Sequence, residues 1–311
     1  MRIFLTGATG YIGSAVLDAL IRAGHDVTAL VRNNAKAALV GGRGVRPVVG
    51  NLADPESYRA AADAQDGYIL TAFDASSGRG PATDRIGLDT IIAAAKRPRT
   101  ASSTAPETRF IIYTSGVWVL GRTPEPAAEN APLNPIQLVS WRPDHEDFVL
   151  RSGTDRLRTI VVRPGVVYGR GSGIIGELFK AASNGLVRVV GDGNNHWPCV
   201  YDRDLADLYA RLAARDDARG VYHANDEGDE RVNDIVSAIS PYVAFVPDVR
   251  HVPIDEARAK MGNYAEALSL DQVIRSPRAK ALGWHPSLRS VGGNAARLLE
   301  EWRAERASLS V

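Results

Sequence analysis

An apolar five-residue strand, a turn with glycines at 7, 10 and 13, and an amphipathic helix follow one another in "RIFLTGATGYIGSAVLDAL". "RIFLT" (2–6) reads as a strand. Ile12, Ala15, Val16, Ala19 and Leu20 then recur at helical spacing, and Gly24 is placed to end the helix as a left-handed cap. A strand that turns at once into a helix of this kind is half of a crossover unit, which asks for a parallel neighbour.

The rest of the first half repeats that unit. "DVTALV" (26–31), "VRPVV" (45–49), "GYILTAF" (67–73), "RFIIYTS" (109–115) and "RTIVVRP" (158–164) read as further buried strands, separated by helical stretches such as "DRIGLDTIIAAAKR" (84–97). The expected fold is α/β: a Rossmann-type doubly wound parallel sheet with a smaller C-terminal substrate lobe. The expected boundaries are 1–170 for the sheet domain, with the chain returning to it at about 197–226, and 171–311 for the lobe. "PRTASSTAPET" (98–108) reads as a surface loop, and "GRTPEPAAENAPLNP" (121–135) as irregular chain bordering the site.

Composition narrows the function classes. A formal net charge of +1 over 311 residues supplies no field to gather nucleic acid or an anionic membrane. No stretch nears the roughly 18 apolar residues of a membrane span, and the glycines near the start argue against a secretory leader. The single cysteine, Cys199, permits no internal disulfide and fits a cytoplasmic protein. No paired cysteines, H-E-x-x-H or nucleophile elbow points to a metal site or a serine hydrolase. The expected partner is a small molecule, with no metal, nucleic acid or membrane.

The glycine turn carries the most chemistry. Gly7 permits the tight turn, Gly10 lets a pyrophosphate approach the backbone, and Gly13 allows the helix to pack closely on the strand. Thr9, Tyr11 and Ile12 complete the loop, and the helix mouth offers amides and a positive dipole end to an anion. This is the pattern of a dinucleotide site in its required setting. At the end of the second strand, "LVRNN" has Arg32 where an acidic residue would repel a 2′-phosphate, so NADP(H) is favoured over NAD(H); Arg32 also reads as a solvated strand-end charge. "GSGIIG" (171–176) satisfies the same spacing but follows a loop, and reads as the flexible start of a helix.

Together "TGATGYIG", "YTSGVWVLG", "VVRPGVVYGRG", "VYDRDLADLYARL" and "ALGWHP" resemble the extended or atypical short-chain dehydrogenase/reductase superfamily, with its nucleotide-sugar epimerases and reductases. The resemblance runs from residue 2 to about 290. It implies a seven-stranded core with NAD(P) across the strand ends. By the same resemblance Asn51 and Leu52 lie near the adenine, Thr71, Ala72 and Phe73 near ribose and phosphates, and Pro164, Gly165, Val166 and Val167 near the nicotinamide. It also implies a homodimer formed through two helices of each subunit, one of them the helix with Arg142. The superfamily's Tyr-x-x-x-Lys motif is replaced: with Glu146 as anchor, Leu138 stands at the tyrosine position and Arg142 at the lysine. Gly116 takes a serine position, with Ser115 beside it.

Hydride transfer to a carbonyl leaves negative charge on oxygen, which a donor must stabilise. Ser115, Arg142 and Tyr168 are the candidate catalytic residues, Arg142 also holding the nicotinamide ribose or pairing with Glu146 on its own helix. A guanidinium is a poor proton donor. Tyr168 also reads as a packed loop aromatic, and His145 as a solvated histidine. Trp118, His196 and Trp197 are candidate substrate contacts, with Trp118, Trp141 and Trp197 as an aromatic wall. The expected function is an NADP(H)-dependent oxidoreductase or epimerase/dehydratase-like enzyme; the alternative is a non-catalytic NAD(P)(H)-binding regulator.

Overall fold

The computed structural model describes residues 1–63, 65–74, 78–98 and 108–308. The greater part of "PRTASSTAPET", residues 99–107, lies outside them. Seven strands form one sheet. Its first five are β1 (Arg2–Thr6), β2 (Asp26–Val31), β3 (Arg46–Val49), β4 (Gly67–Leu70) and β5 (Arg109–Thr114), and the strands Leu157–Pro164 and Gly220–Ala224 complete it. From one edge to the other the order is Gly220–Ala224, Leu157–Pro164, β5, β4, β1, β2, β3. The pairings from β3 across to Leu157–Pro164 are parallel. The chain winds outward from β1 to β3, then returns to lay β4 on the other side of β1. That reversal creates a topological switch point between β1 and β4, where folds of this class leave a crevice at the carboxyl ends of the strands.

The helices of this half are α1 (Tyr11–Arg22), α2 (Asn34–Gly41), α3 (Arg59–Asp63), α4 (Gly80–Lys96) and α5 (Arg142–Arg151). In α1 the residues at helical spacing turn inward: Ala15, Val16, Ala19 and Leu20 are buried. Gly24 (φ +75°) closes the helix as expected, with Gly24 N donating to Ile21 O and His25 N to Leu20 O. Two expectations need correction. "VRPVV" is the edge of the sheet, so β3 is mostly exposed instead of buried. "GYILTAF" is a strand only to Leu70, because Thr71 turns back on Thr6.

The described chain divides into two compact units. The first holds Met1–Ser115, Trp141–Val162 and Ala206–Tyr222; the second holds Gly116–Ser140, Arg163–Leu205 and His223–Val311. Segments 116–140 and 163–170 therefore fall with the second unit, outside the boundaries read from sequence. Phe4, Tyr68, Leu88, Ile91, Ile111, Tyr113, Val149 and Val161 build the core of the first unit. In the second, Tyr168, Phe179, Trp197, Tyr201, Ile235 and Trp302 share another. The stretch 121–135 is not wholly irregular, since Thr123–Ala127 is a strand paired in parallel with Gln272–Ile274.

Two buried arginines fasten helix ends in the first unit. Arg109, at the start of β5, donates from Nη1 to Ala94 O, Ala95 O and Arg97 O at 3.1, 3.0 and 2.7 Å, at the C-terminus of α4. Arg158 donates to Leu212 O, Ala213 O and Ala218 O at 3.2–3.3 Å, at the end of the helix Asp202–Ala214. Each puts a cation on carbonyls in and just beyond the last turn of a helix, at the negative end of its dipole. Arg158→Met keeps most of the apolar stem but strips three buried carbonyls of their donor. It is expected to cost about 2–4 kcal/mol of unfolding free energy, measured by urea denaturation.

Candidate functional site

At the switch point the backbone is pressed as close as chemistry permits. Gly7 has φ +78°, and Gly10 N donates to Gly7 O at 2.8 Å. A methyl group on Gly13 would stand 2.1 Å from Gly7 O and 2.5 Å from Thr71 Oγ1, and one on Gly7 would stand 2.7 Å from Thr71 Oγ1. Only glycine fits either place. Thr71 Oγ1 donates to Thr6 O at 2.7 Å and Ala72 N to Thr6 Oγ1 at 3.3 Å, so the ends of β1 and β4 are tied together. Thr9 lies in the turn, and Tyr11 and Ile12 open α1. No side chain caps α1 at Gly10, which leaves its dipole end open to an anionic ligand.

Around it stand the other predicted contacts of the first unit. Arg32 is exposed just past β2. The Asn51 side chain accepts from Ala53 N at 3.0 Å within its own turn, and Leu52 packs on α4, where a methyl on Gly87 would meet Leu52 Cδ1 at 2.7 Å. Phe73 is 44% exposed and stacks on Trp141, with ring centroids 5.3 Å apart. Arg142 opens α5, with Pro143 in the first turn as expected. Its Nη1 donates to Thr114 O at 3.1 Å and, at a longer 3.4 Å, to the Tyr113 hydroxyl, while the guanidinium lies over Trp141 and Phe73. Ser115 is buried; its N donates to Val162 O, and its Oγ has no hydrogen-bond partner. A buried hydroxyl without a partner is uncommon and invites a ligand atom.

His145 is not solvated. It is buried, with Nδ1 2.7 Å from Asp84 Oδ2 and its ring edge-on to Trp141. Asp84 Oδ2 also accepts from the Tyr113 hydroxyl at 2.7 Å. Thr114 Oγ1 lies 2.6 Å from the Tyr209 hydroxyl. Burial foremost, and then the Asp84 charge, push the Tyr113 hydroxyl far up; burial does the same for Tyr209. Sequence reasoning missed this polar cluster. One signal was present: Asp84 shares the buried register of Leu88, Ile91 and Ala95 on α4, and a carboxylate there demands partners.

In the second unit the predicted residues serve mainly structural ends. Val166–Tyr168 pairs in parallel with Cys199–Tyr201, and Gly165 is needed because a methyl there would meet Pro198 O at 1.9 Å. Tyr168 is wholly buried, its hydroxyl donating to Asp226 Oδ2 at 3.1 Å and Leu288 O at 3.3 Å, so it is the packed aromatic and not a free proton donor. Burial raises its pKa strongly. Trp197 is a core residue, its Nε1 bound to Leu268 O; Trp118 meets Tyr264 edge-on, and Trp141 has its own partner in Phe73. The three tryptophans thus have separate neighbours in place of a shared wall. His196 is partly exposed and lies 2.8 Å from Asp271 through Nδ1. "GSGIIG" opens the helix Gly173–Ser183, where a methyl on Gly176 would meet Gly171 O at 2.6 Å.

Residues 3–224 match the family model described as NAD dependent epimerase/dehydratase family. An uncharacterized protein of Schizosaccharomyces pombe is 30% identical over 92% of this chain and 95% of its own. Human epimerase family protein SDR39U1, solved with NADPH, superposes with a TM-score of 0.79 at 20% identity, covering 96% of this chain and 99% of that one. Thermus thermophilus UDP-glucose 4-epimerase, solved with NAD, gives 0.79 at 19% identity, covering 97% and 99%.

Two buried groups of the second unit titrate in opposite senses. Burial lifts Asp226 to about 7, and burial together with the Arg163 charge lowers His223 to about 4; His223 Nδ1 lies 3.1 Å from Arg275 O and its Nε2 is unpartnered. Between about pH 4 and 7 the folded state holds a proton on Asp226 that the unfolded chain releases, so stability falls as pH rises. At His223 the unfolded chain binds a proton that the folded state refuses, so stability rises with pH over the same window. Each contribution alone is on the order of 3 kcal/mol. Chemical denaturation across pH should therefore show, relative to the wild type, an added loss of stability on acidification for Asp226→Asn and an added loss on alkalinisation for His223→Gln.

Proposed function

Because the chain belongs to the NAD dependent epimerase/dehydratase family, we propose that it is an NADP(H)-dependent oxidoreductase or epimerase/dehydratase-like enzyme. Its substrate is a small or sugar-like carbonyl or alcohol, handled by a non-standard site. The observation that carries this reading is the packing of Gly7 and Gly13 on Thr71, closer than any Cβ would allow, which brings the backbone of the glycine turn up to the mouth of α1. In it the amides of residues 9–13 hold the pyrophosphate, Thr71, Ala72 and Phe73 border the ribose and phosphates, and Asn51 and Leu52 border the adenine. Pro164, Gly165, Val166 and Val167 line the nicotinamide. Arg32, exposed beside the end of β2, takes the 2′-phosphate.

The bound nucleotide supplies or accepts a hydride. Ser115 donates a hydrogen bond to the substrate oxygen, a role supported by its buried, unpartnered Oγ. Arg142 holds the nicotinamide ribose and offsets charge developing on that oxygen. Since a guanidinium does not readily release a proton, proton transfer is left to the Ser115 hydroxyl or to water. Trp118 and His196 contact the substrate, Trp118 through its partly exposed ring. The protein works in the cytoplasm, in keeping with its single, buried cysteine, and as a homodimer joined partly through α5. Among the described residues no helix is long and apolar enough to cross a membrane.

A second reading, a non-catalytic NAD(P)(H)-binding regulator, draws on one observation. Leu138, where the superfamily places its tyrosine, packs against an apolar cluster with Val117 and Ile136. Calorimetry should find NADPH bound more tightly than NADH, and Arg32→Asp should weaken NADPH about 10- to 100-fold. Gly13→Val should abolish binding of both. With a panel of aldehydes and ketones, Ser115→Ala should lower kcat about tenfold or more while leaving NADPH affinity intact. Binding with no turnover and no hydrogen exchange at a sugar carbon would favour the regulator; no binding of either nucleotide would end both readings.

A further inference from the structure

Arg142 is held by more than its own helix. Its Nη1 reaches the Tyr113 hydroxyl, whose hydrogen is committed to Asp84 Oδ2, so the tyrosine oxygen presents lone pairs to the guanidinium. The same carboxylate oxygen lies 2.7 Å from His145 Nδ1, and the His145 ring meets the face of Trp141 at 4.8 Å between centroids. Trp141 in turn carries the Arg142 guanidinium on its ring at 4.5 Å. The contacts close into a loop, Trp141 to Arg142 to Tyr113 to Asp84 to His145 and back to Trp141. It draws one member from β5, one from α4 and three from the start of α5. Asp84, Tyr113 and His145 are all buried.

Such a loop does something a lone arginine cannot. An arginine side chain at a helix start gives up several rotatable bonds to hold one position, at a cost of about 2 kcal/mol of rotamer freedom. Here Nη1 is met by Thr114 O and the Tyr113 hydroxyl, and the flat face is met by Trp141, so the guanidinium is held from two directions. Asp84 bonds to the Tyr113 hydroxyl and His145 bonds to Asp84 and meets Trp141, so their effect on the guanidinium passes through Tyr113 and Trp141.

We propose that Asp84, Tyr113 and His145 are positioning residues that fix the Arg142 guanidinium for the nicotinamide-ribose half of the bound dinucleotide. This rests on the assignment of Arg142 to that ribose. The loop supplies by hydrogen bonds and stacking the preorganisation that the replaced lysine motif would otherwise provide.

The test compares two probes, NADPH and 2′,5′-ADP, the second lacking the nicotinamide half, by calorimetric titration of the full chain. Tyr113→Phe keeps the ring and removes the hydroxyl. His145→Ala removes the donor, and His145→Asn restores one at the Nδ1 position. Tyr113→Phe and His145→Ala should each weaken NADPH about five- to tenfold, leave 2′,5′-ADP unchanged, and add nothing further in an Arg142→Met background. His145→Asn should recover most of the NADPH affinity. Equal weakening of both probes, full additivity with Arg142→Met, or unchanged NADPH affinity in Tyr113→Phe would overturn the proposal. Tyr113→Phe preserves core volume and serves as the deciding variant should His145→Ala fail to fold. If Arg142→Met itself leaves NADPH affinity unaltered, the assignment of Arg142 to the ribose falls, and the positioning role with it. If Arg142→Met weakens NADPH and the network variants do not, only the positioning role falls.

Discussion

The approach of α1 to the ends of β1 and β4 is the contact on which the rest of the molecule depends. A backbone carbonyl, a threonine hydroxyl and a helix axis converge where no side-chain carbon can enter. That crowding has two effects. It seats the start of the helix dipole close to the strand ends, and it makes the turn there one of backbone, whose hydrogen-bonding direction does not vary with side-chain rotamers. Thr71 completes the joint by turning its hydroxyl back onto Thr6 O, which is also why β4 ends at Leu70. The strand reversal at the switch point and the glycines that let α1 pack against it are thus one constraint seen twice.

What surrounds that joint departs from the superfamily in a consistent direction. A titratable lysine gives way to a guanidinium, and the tyrosine position is apolar. The positive charge is retained while easy proton release is lost, and the polar partners that hold it lie in the sheet–helix interface of the first unit. Buried polar networks of this kind are favourable only when every member is satisfied, and each hydrogen-bonding member here has at least one short partner.

The fold was legible because its signals are periodic. Strand positions, the α1 face, the Gly24 cap and the glycine turn follow from local spacing and from the conformations glycine alone tolerates. Less legible were features set by distant neighbours. β3 looked buried because its residues are apolar, yet its place at the sheet edge exposes it. His145 looked solvated because it cannot share one helix face with both Arg142 and Glu146, yet its carboxylate partner is 61 residues away. Tyr168 was expected near the nicotinamide because it directly follows residues that the resemblance puts there, but its hydroxyl is engaged by Asp226 and Leu288. Asp84 offered the one readable clue, an acid on an apolar helical stripe, and was passed over as part of that helix.

The two arginines at the opposite end of the sheet from the crevice have a consequence for how this architecture can diversify. By hooking the last carbonyls of a helix to the first residue or two of a strand, Arg109 and Arg158 fix the phase of each helix as well as its stability. Adding one residue inside the helix would swing those carbonyls by about 100° and break the hook. Length changes are therefore filtered out on that rim and tolerated on the other, where the proposed ligand contacts lie. Such a scaffold acts as a clamped comb: its roots are locked in register, and its free tips can be re-cut for new substrates.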